Sequence, residues 1–142
     1  MRTTERAADD GKESRDGATG DADAALATLA AQLETSIAEL SSARARVAEL
    51  QDLRAQGLSW RAIVPREERP LIVATLTRTL DGLGAVGGRF RREEAVALHG
   101  EGETIAGIGR LFGVSRQRVS AYLQEHQQLL ERAAGRDGHR GR

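Results

Sequence analysis

Apolar residues recur at helical spacing over much of the chain, most regularly in its first half. Between residues 21 and 56 they fall on the a and d positions of a heptad, with Ser36 and Ala43 in the weaker d positions. The large apolar members are Leu26, Leu29, Leu33, Leu40, Val47 and Leu50. This pattern predicts one long helix over residues 21–56, with Gly57 just past its end.

A helix with such a stripe needs a surface to cover it, because a lone helix of this length is marginal in water. Two solutions remain open at this point: a coiled coil between two copies, or a helix that folds back on its own chain. We expect the first, a homodimer formed through residues 21–56.

Residues 57–88 predict a small helical unit that serves packing. Ser59 is suited to cap a short helix, and Trp60 is the expected core anchor. The 3–4 spacing of apolar residues from 66 to 83 favours a helix, although the three threonines in this stretch are also compatible with a strand. A glycine-rich hinge is predicted after it, at Gly82, Gly84, Gly87 and Gly88.

Three further helices are predicted between residues 89 and 134. The first spans 90–99, and the second carries Ile105, Ile108, Leu111 and Phe112 on its inward face. Gly113 then ends the second helix with a tight turn, and Ser115 caps the third. The third helix has an inward face of its own, formed by Val119, Tyr122 and Leu123. The chain is therefore predicted to be all-α: a long N-terminal helix, a small helical unit and a C-terminal trihelical domain.

The run IGRLFGVSRQRVSAYL resembles the helix-turn-helix family of DNA-binding domains. It is similar to region 4 of sigma factors and to the C-terminal domain of serine resolvases. The resemblance covers roughly residues 90–126, and its matching positions are Gly109, Gly113, Val114, Val119 and Tyr122.

In such domains the second helix of the motif lies in the major groove of double-stranded DNA, with its N-terminal residues at the base edges. The resemblance therefore implies a set of base-reading residues: Arg116, Gln117, Arg118, Ser120 and Ala121. Arginine can bind guanine, glutamine can bind adenine, and an alanine methyl can contact a thymine methyl. The expected phosphate contacts are Arg89, Arg91, Arg92, Arg110 and Ser115.

Charge is unevenly distributed along a chain whose formal net charge is zero. Residues 1–56 hold seven basic and eleven acidic residues, whereas residues 89–142 hold ten basic and seven acidic residues. The C-terminal part is thus the expected phosphate-facing end. Residues 1–20 have almost nothing to bury and predict a disordered tail, and residues 135–142 predict a loose basic tail.

Other classes of function lack support in the residues. The chain has no cysteine and no catalytic motif, so we expect neither an enzyme nor a bound cofactor or metal. It has no apolar run that predicts a transmembrane helix or a secretory signal, which favours a cytoplasmic protein associated with the nucleoid.

We therefore expect a transcriptional regulator that binds double-stranded DNA. The alternatives are a module that binds RNA polymerase or a sigma factor, and a DNA-binding accessory of recombination.

Overall fold

The computed structural model describes residues 3–138, except for the side chains of residues 3–10 and of residue 14. Its helices are α1 (Thr3–Ala55), α2 (Trp60–Ile63), α3 (Ile72–Gly100), α4 (Ile105–Phe112) and α5 (Arg116–Asp137), with a 3-10 turn at Val64–Arg66. Residues 3–138 contain no strand. The all-α prediction is confirmed, and the stretch with three threonines lies mostly in α3.

Helix α1 is longer than the sequence predicts. It includes residues expected to form a disordered tail, and no boundary lies near residue 21. Packing accounts for part of the difference, because Arg15 and Ala18 lie against Gly100 of α3 and Ala18 is half-buried. A helix that finds a partner surface no longer depends on its own propensity. Its C-terminal end follows the prediction, with Gly57 at φ 88° just beyond Ala55.

Helix α3 is continuous through the glycines that predict a hinge. The two helices expected on either side of them are one element, so the hinge prediction is wrong as secondary structure. Packing does not require glycine at these positions: a Cβ on Gly82 would lie 3.4 Å from Nε2 of Gln32 in α1, an ordinary van der Waals contact, and one on Gly84, Gly87 or Gly88 would have no neighbour within 4 Å. The compact units of the chain nevertheless divide at Gly87 and Gly88.

The chain forms two compact units. The hairpin unit comprises Thr28–Gly87, and the corner unit comprises the described residues up to Ala27 together with those from Gly88 onward. Helices α1 and α3 each contribute to both units. These divisions differ from the predicted segments 21–56, 57–88 and 89–134, because a unit built by helix pairing joins residues distant in sequence.

In the hairpin unit, α1 and α3 run antiparallel and meet along a seam that includes several polar contacts. Thr79 Oγ1 donates a hydrogen bond to Glu39, and the Arg46 guanidinium donates to the carbonyl oxygen of Pro70 at 2.9 Å. Ser36 and Ala43 are buried in α1. Of the two routes that the heptads leave open, the structure shows α1 packing on its own chain, with only part of the predicted stripe turned toward α3.

Helix α2 is a single turn capped by Ser59, whose hydroxyl accepts from the Ala62 amide, as predicted. Only Ile63 of this turn is buried. Trp60 is 57% exposed, with the Arg54 guanidinium 4.9 Å from its ring centroid. The prediction that Trp60 is a core anchor is therefore wrong, because one helical turn can bury only one side of itself.

The corner unit has a small apolar core to which three helices contribute. Ala95 of α3, Ile108 of α4 and Val119 of α5 are fully buried in it. Five half-buried apolar residues pack around them: Leu98, Ile105, Phe112, Val114 and Tyr122. This core fixes the angle at which α5 leaves α4.

Candidate nucleic-acid interface

The α4–α5 corner is built by a capped helix, a left-handed glycine and a second cap. Thr104 caps α4 by accepting from the Gly107 amide at 3.0 Å. Gly113 ends α4 at φ 67°, a conformation that favours glycine. Ser115 caps α5 by accepting from the Arg118 amide at 3.1 Å. The turn glycine and the second cap match the sequence prediction.

Close approach at the corner requires glycine at position 109. A Cβ there would stand 2.9 Å from the carbonyl oxygen of Val114, a backbone atom that cannot rotate away. The Val114 amide donates to the Gly109 carbonyl at 2.9 Å, which holds the same two segments together. The sequence assigned Gly109 to the helix crossing, and the structure places it against the turn and the start of α5.

Two other residues of α4 have surroundings that the sequence does not indicate. Gly107 is buried, and a Cβ there would collide with the Glu103 carboxylate, which accepts from the Thr104 amide. The obstructing group is the end of a flexible side chain, so this approach does not by itself require glycine at position 107. Leu111 was predicted to face inward but is 65% exposed, because Ile108 and Phe112 already fill the inner side.

The first two turns of α5 present polar side chains to solvent. Arg116, Gln117 and Arg118 are exposed, whereas Ser120 and Ala121 are half-buried beside the inward Val119. Helical spacing places Gln117 and Ala121 on one outward stripe. The stripe continues to Gln124, which is also exposed. Gln124 is absent from the predicted set, although the i, i+4, i+7 spacing from Gln117 indicates it.

Arg118 is held against its neighbour one turn on. Its Nε lies 3.4 Å from the Tyr122 hydroxyl, and its guanidinium carbon is 5.5 Å from the ring centroid. The hydrogen bond to Tyr122 raises the pKa of Arg118 above its ordinary value. Arginine is a cation at neutral pH even without this shift. Arg118 remains exposed on the face of α5 beside the outward stripe.

Some of the predicted phosphate contacts are exposed without a described partner, and others are already engaged in contacts within the chain. Arg110, Ser115 and Arg116 surround a shallow depression of about 400 Å³ beside the turn. Arg89 is also exposed. Arg91 stacks on the Phe112 ring at 4.2 Å and pairs with a glutamate at 3.7 Å.

Arg92 departs from the prediction of an open phosphate contact. Its side chain is only 18% exposed and lies between two carboxylates, 3.5 Å from Glu93 and 3.7 Å from Glu125. The sequence could not show this, because Glu125 lies on another helix. We therefore assign Arg92 to packing and exclude it from the interface.

Comparison of the chain with protein-family models, curated proteins and solved structures found no match. None of the helices described is both long and apolar enough to cross a membrane. Inference about function therefore rests on the geometry of the two units.

Proposed function

We propose that this chain binds double-stranded DNA in a sequence-specific way and regulates transcription. The observation that carries the proposal is the exposed polar stripe at the capped N-terminus of α5, aimed outward by the glycine corner. A helix presented in this way fits the major groove, where its first turns meet base edges.

Each exposed group in this region matches a feature of DNA. Gln117 can donate to and accept from adenine, and Arg116 can donate two hydrogen bonds to guanine. Arg110 and Ser115 flank the N-terminus of α5, whose free amide groups favour an anion such as phosphate. No acidic residue occurs between Arg110 and Leu123, so every charged side chain in this stretch of the chain is positive.

A single corner unit with few free arginines offers limited phosphate contact, so a paired arrangement would strengthen binding. The hairpin unit supplies a surface for pairing. Large aliphatic side chains stand exposed on both of its helices, with exposed fractions between 39% and 73%. They are Leu33, Ile37, Leu40 and Val47 on α1, and Val73 and Leu80 on α3.

These side chains share one side of the hairpin. On α1 each follows a seam residue by one position, as Ile37 follows buried Ser36. On α3 the same relation holds, because Val73 follows buried Ile72 and Leu80 follows buried Thr79. A shift of one residue along an α-helix rotates the side-chain direction by about 100° around the helix axis, in the same sense relative to the chain direction on each helix. Because the helices are antiparallel and face each other, that rotation brings both stripes to the same side.

The distribution of apolar residues favours a second copy of the chain as the occupant. The seam between α1 and α3 holds both polar contacts and buried apolar residues such as Ile72, whereas the exposed aliphatic residues lie on the outer side at heptad spacing, an arrangement that suits a four-helix bundle. Fully burying one such side chain contributes about 1.5–3 kcal/mol. Six half-exposed side chains from each copy supply enough apolar surface to offset the cost of association.

A homodimer of this kind would present two copies of α5 to DNA. Paired recognition helices read half-sites about 34–36 Å apart, which is one turn of the duplex. The proposal is tested by selecting bound duplexes from a random pool with the full chain. We expect an enriched motif with two related halves; a pool that stays random after repeated rounds would contradict sequence-specific binding.

The exposed aliphatic face also favours a second candidate, a module that binds RNA polymerase or a sigma factor through the hairpin unit. A pull-down from nuclease-treated extract separates the two. Retention of polymerase subunits without DNA, by wild-type protein but not by an Ile37→Glu variant, would support the second candidate. A self-associating protein that retains none of them supports the first.

A further inference from the structure

Three helices of the corner unit bring together two carboxylates and an imidazole. Asp21 comes from α1, Glu93 from α3 and His126 from α5, and one oxygen or nitrogen atom of each lies within 4.8 Å of the other two. The residues are too far apart in sequence for any motif to indicate the cluster. This explains why the sequence analysis predicts no metal.

Glu93 lacks the hydrogen bonds expected of a buried carboxylate. Its side chain is 8% exposed, and its Oε2 is buried without a hydrogen bond in the described structure. Oε2 has only an ion-pair contact, 3.1 Å from Nδ1 of His126, while Oε1 faces the Arg92 guanidinium at 3.5 Å. A buried anionic oxygen with so little stabilisation is costly unless a cation lies beside it.

We propose that Asp21, Glu93 and His126 bind a divalent first-row metal ion. One nitrogen and two carboxylate oxygens form a mixed ligand set that suits ions such as Zn²⁺ and Mn²⁺. The two negative charges match the charge of the ion. Arg92 pairs with Oε1 at 3.5 Å, which leaves Oε2 for the metal.

The geometry needs only a small adjustment. Zinc bonds of about 2.0–2.2 Å in a tetrahedron place ligand atoms roughly 3.5 Å apart. Because the ligand atoms lie within 4.8 Å of one another, no separation needs to close by more than about 1.3 Å. Asp21 is exposed and free to rotate by that amount. A cavity of about 490 Å³, lined among others by Asp21, His99 and His126, gives the ion access and leaves room for water ligands.

A metal here would act as a cross-link. It would tie α1 to α3 and α5 within the corner unit, and so hold the N-terminal helix against the helix proposed to read DNA. This role is independent of DNA binding, because all three ligands lie away from the outward stripe of Gln117 and Ala121. Its test therefore needs no DNA.

The test is a calorimetric titration of the chelator-treated full chain with Zn²⁺, Mn²⁺ and Co²⁺, accompanied by the visible spectrum of the Co²⁺ form. We expect one ion per chain and a rise in Tm on binding. Asp21→Asn and His126→Gln should each weaken binding at least tenfold.

His99→Gln is the matched control, because His99 lines the same cavity but lies outside the ligand cluster. It should bind the ion as the wild type does. The proposal is overturned if the wild type takes up no ion saturably at one to one. It is also overturned if His126→Gln binds as well as the wild type, or if His99→Gln loses as much affinity. The wild-type titration decides the matter even if a ligand variant fails to fold.

Discussion

The backbone oxygen of Val114 stands 2.9 Å from where a Cβ of Gly109 would be. No other residue can occupy position 109 without moving α4 away from the turn, because the obstructing atom belongs to the backbone. The angle between α4 and α5 thus depends on the absence of a Cβ atom at position 109.

A Gly109→Ala variant should lose stability by about 1–3 kcal/mol, the usual cost of forcing a methyl group into a packed site. Thermal unfolding followed by circular dichroism measures the effect. Gly84→Ala is the matched control, since Gly84 lies inside α3 with open space around its Cα. It should gain about 0.5–1 kcal/mol from improved helix propensity. Equal effects of the two substitutions would show that position 109 is not constrained.

Ile37→Glu and Leu80→Glu should each convert a dimer into a monomer, because a charge in the aliphatic stripe cannot be buried against a second copy. Analytical ultracentrifugation at micromolar concentrations measures this. Ser42→Glu is the control, because Ser42 is exposed on α1 away from the stripe. A wild-type chain that sediments as a monomer at every concentration would contradict the assigned interface.

The arginines should differ in how they affect DNA binding. Arg110→Gln removes an open cation beside the turn, so the slope of log affinity against log salt should flatten by about 0.9. Arg92→Gln should leave that slope unchanged but lower stability by about 1–3 kcal/mol, because Glu93 loses its neighbouring cation. If the slope flattened with Arg92→Gln but stayed unchanged with Arg110→Gln, Arg92 rather than Arg110 would be the phosphate contact, which contradicts our assignment.

The sequence predicts local structure at the corner well, because helix caps and turn glycines act on adjacent residues. Ser115 and Gly113 each do what their types and positions indicate. Long-range packing is a different matter. The glycines at the predicted hinge lie inside α3, which pairs with α1 through contacts that no local pattern indicates, such as the hydrogen bond from Thr79 to Glu39.

The heptads of α1 show a second limit of sequence reasoning. Leu29 and Leu50 turn toward the seam while Leu33 and Leu40 stay exposed, so one continuous pattern serves two surfaces. Periodicity identifies such residues as apolar positions but does not say which partner covers them. The surroundings of Arg92 and His126 cannot be predicted from the sequence either, because each residue pairs with a glutamate on another helix.

The most direct test of the account is the affinity of Gln117→Ala for the selected duplex, measured by gel shift against Gln128→Ala. Both glutamines are exposed on α5, but only Gln117 lies in its first turns. We expect Gln117→Ala to lose about 1–3 kcal/mol of binding free energy and its preference at one base pair, with Gln128→Ala unchanged. Full affinity and selectivity in Gln117→Ala would contradict the placement of α5 in the major groove.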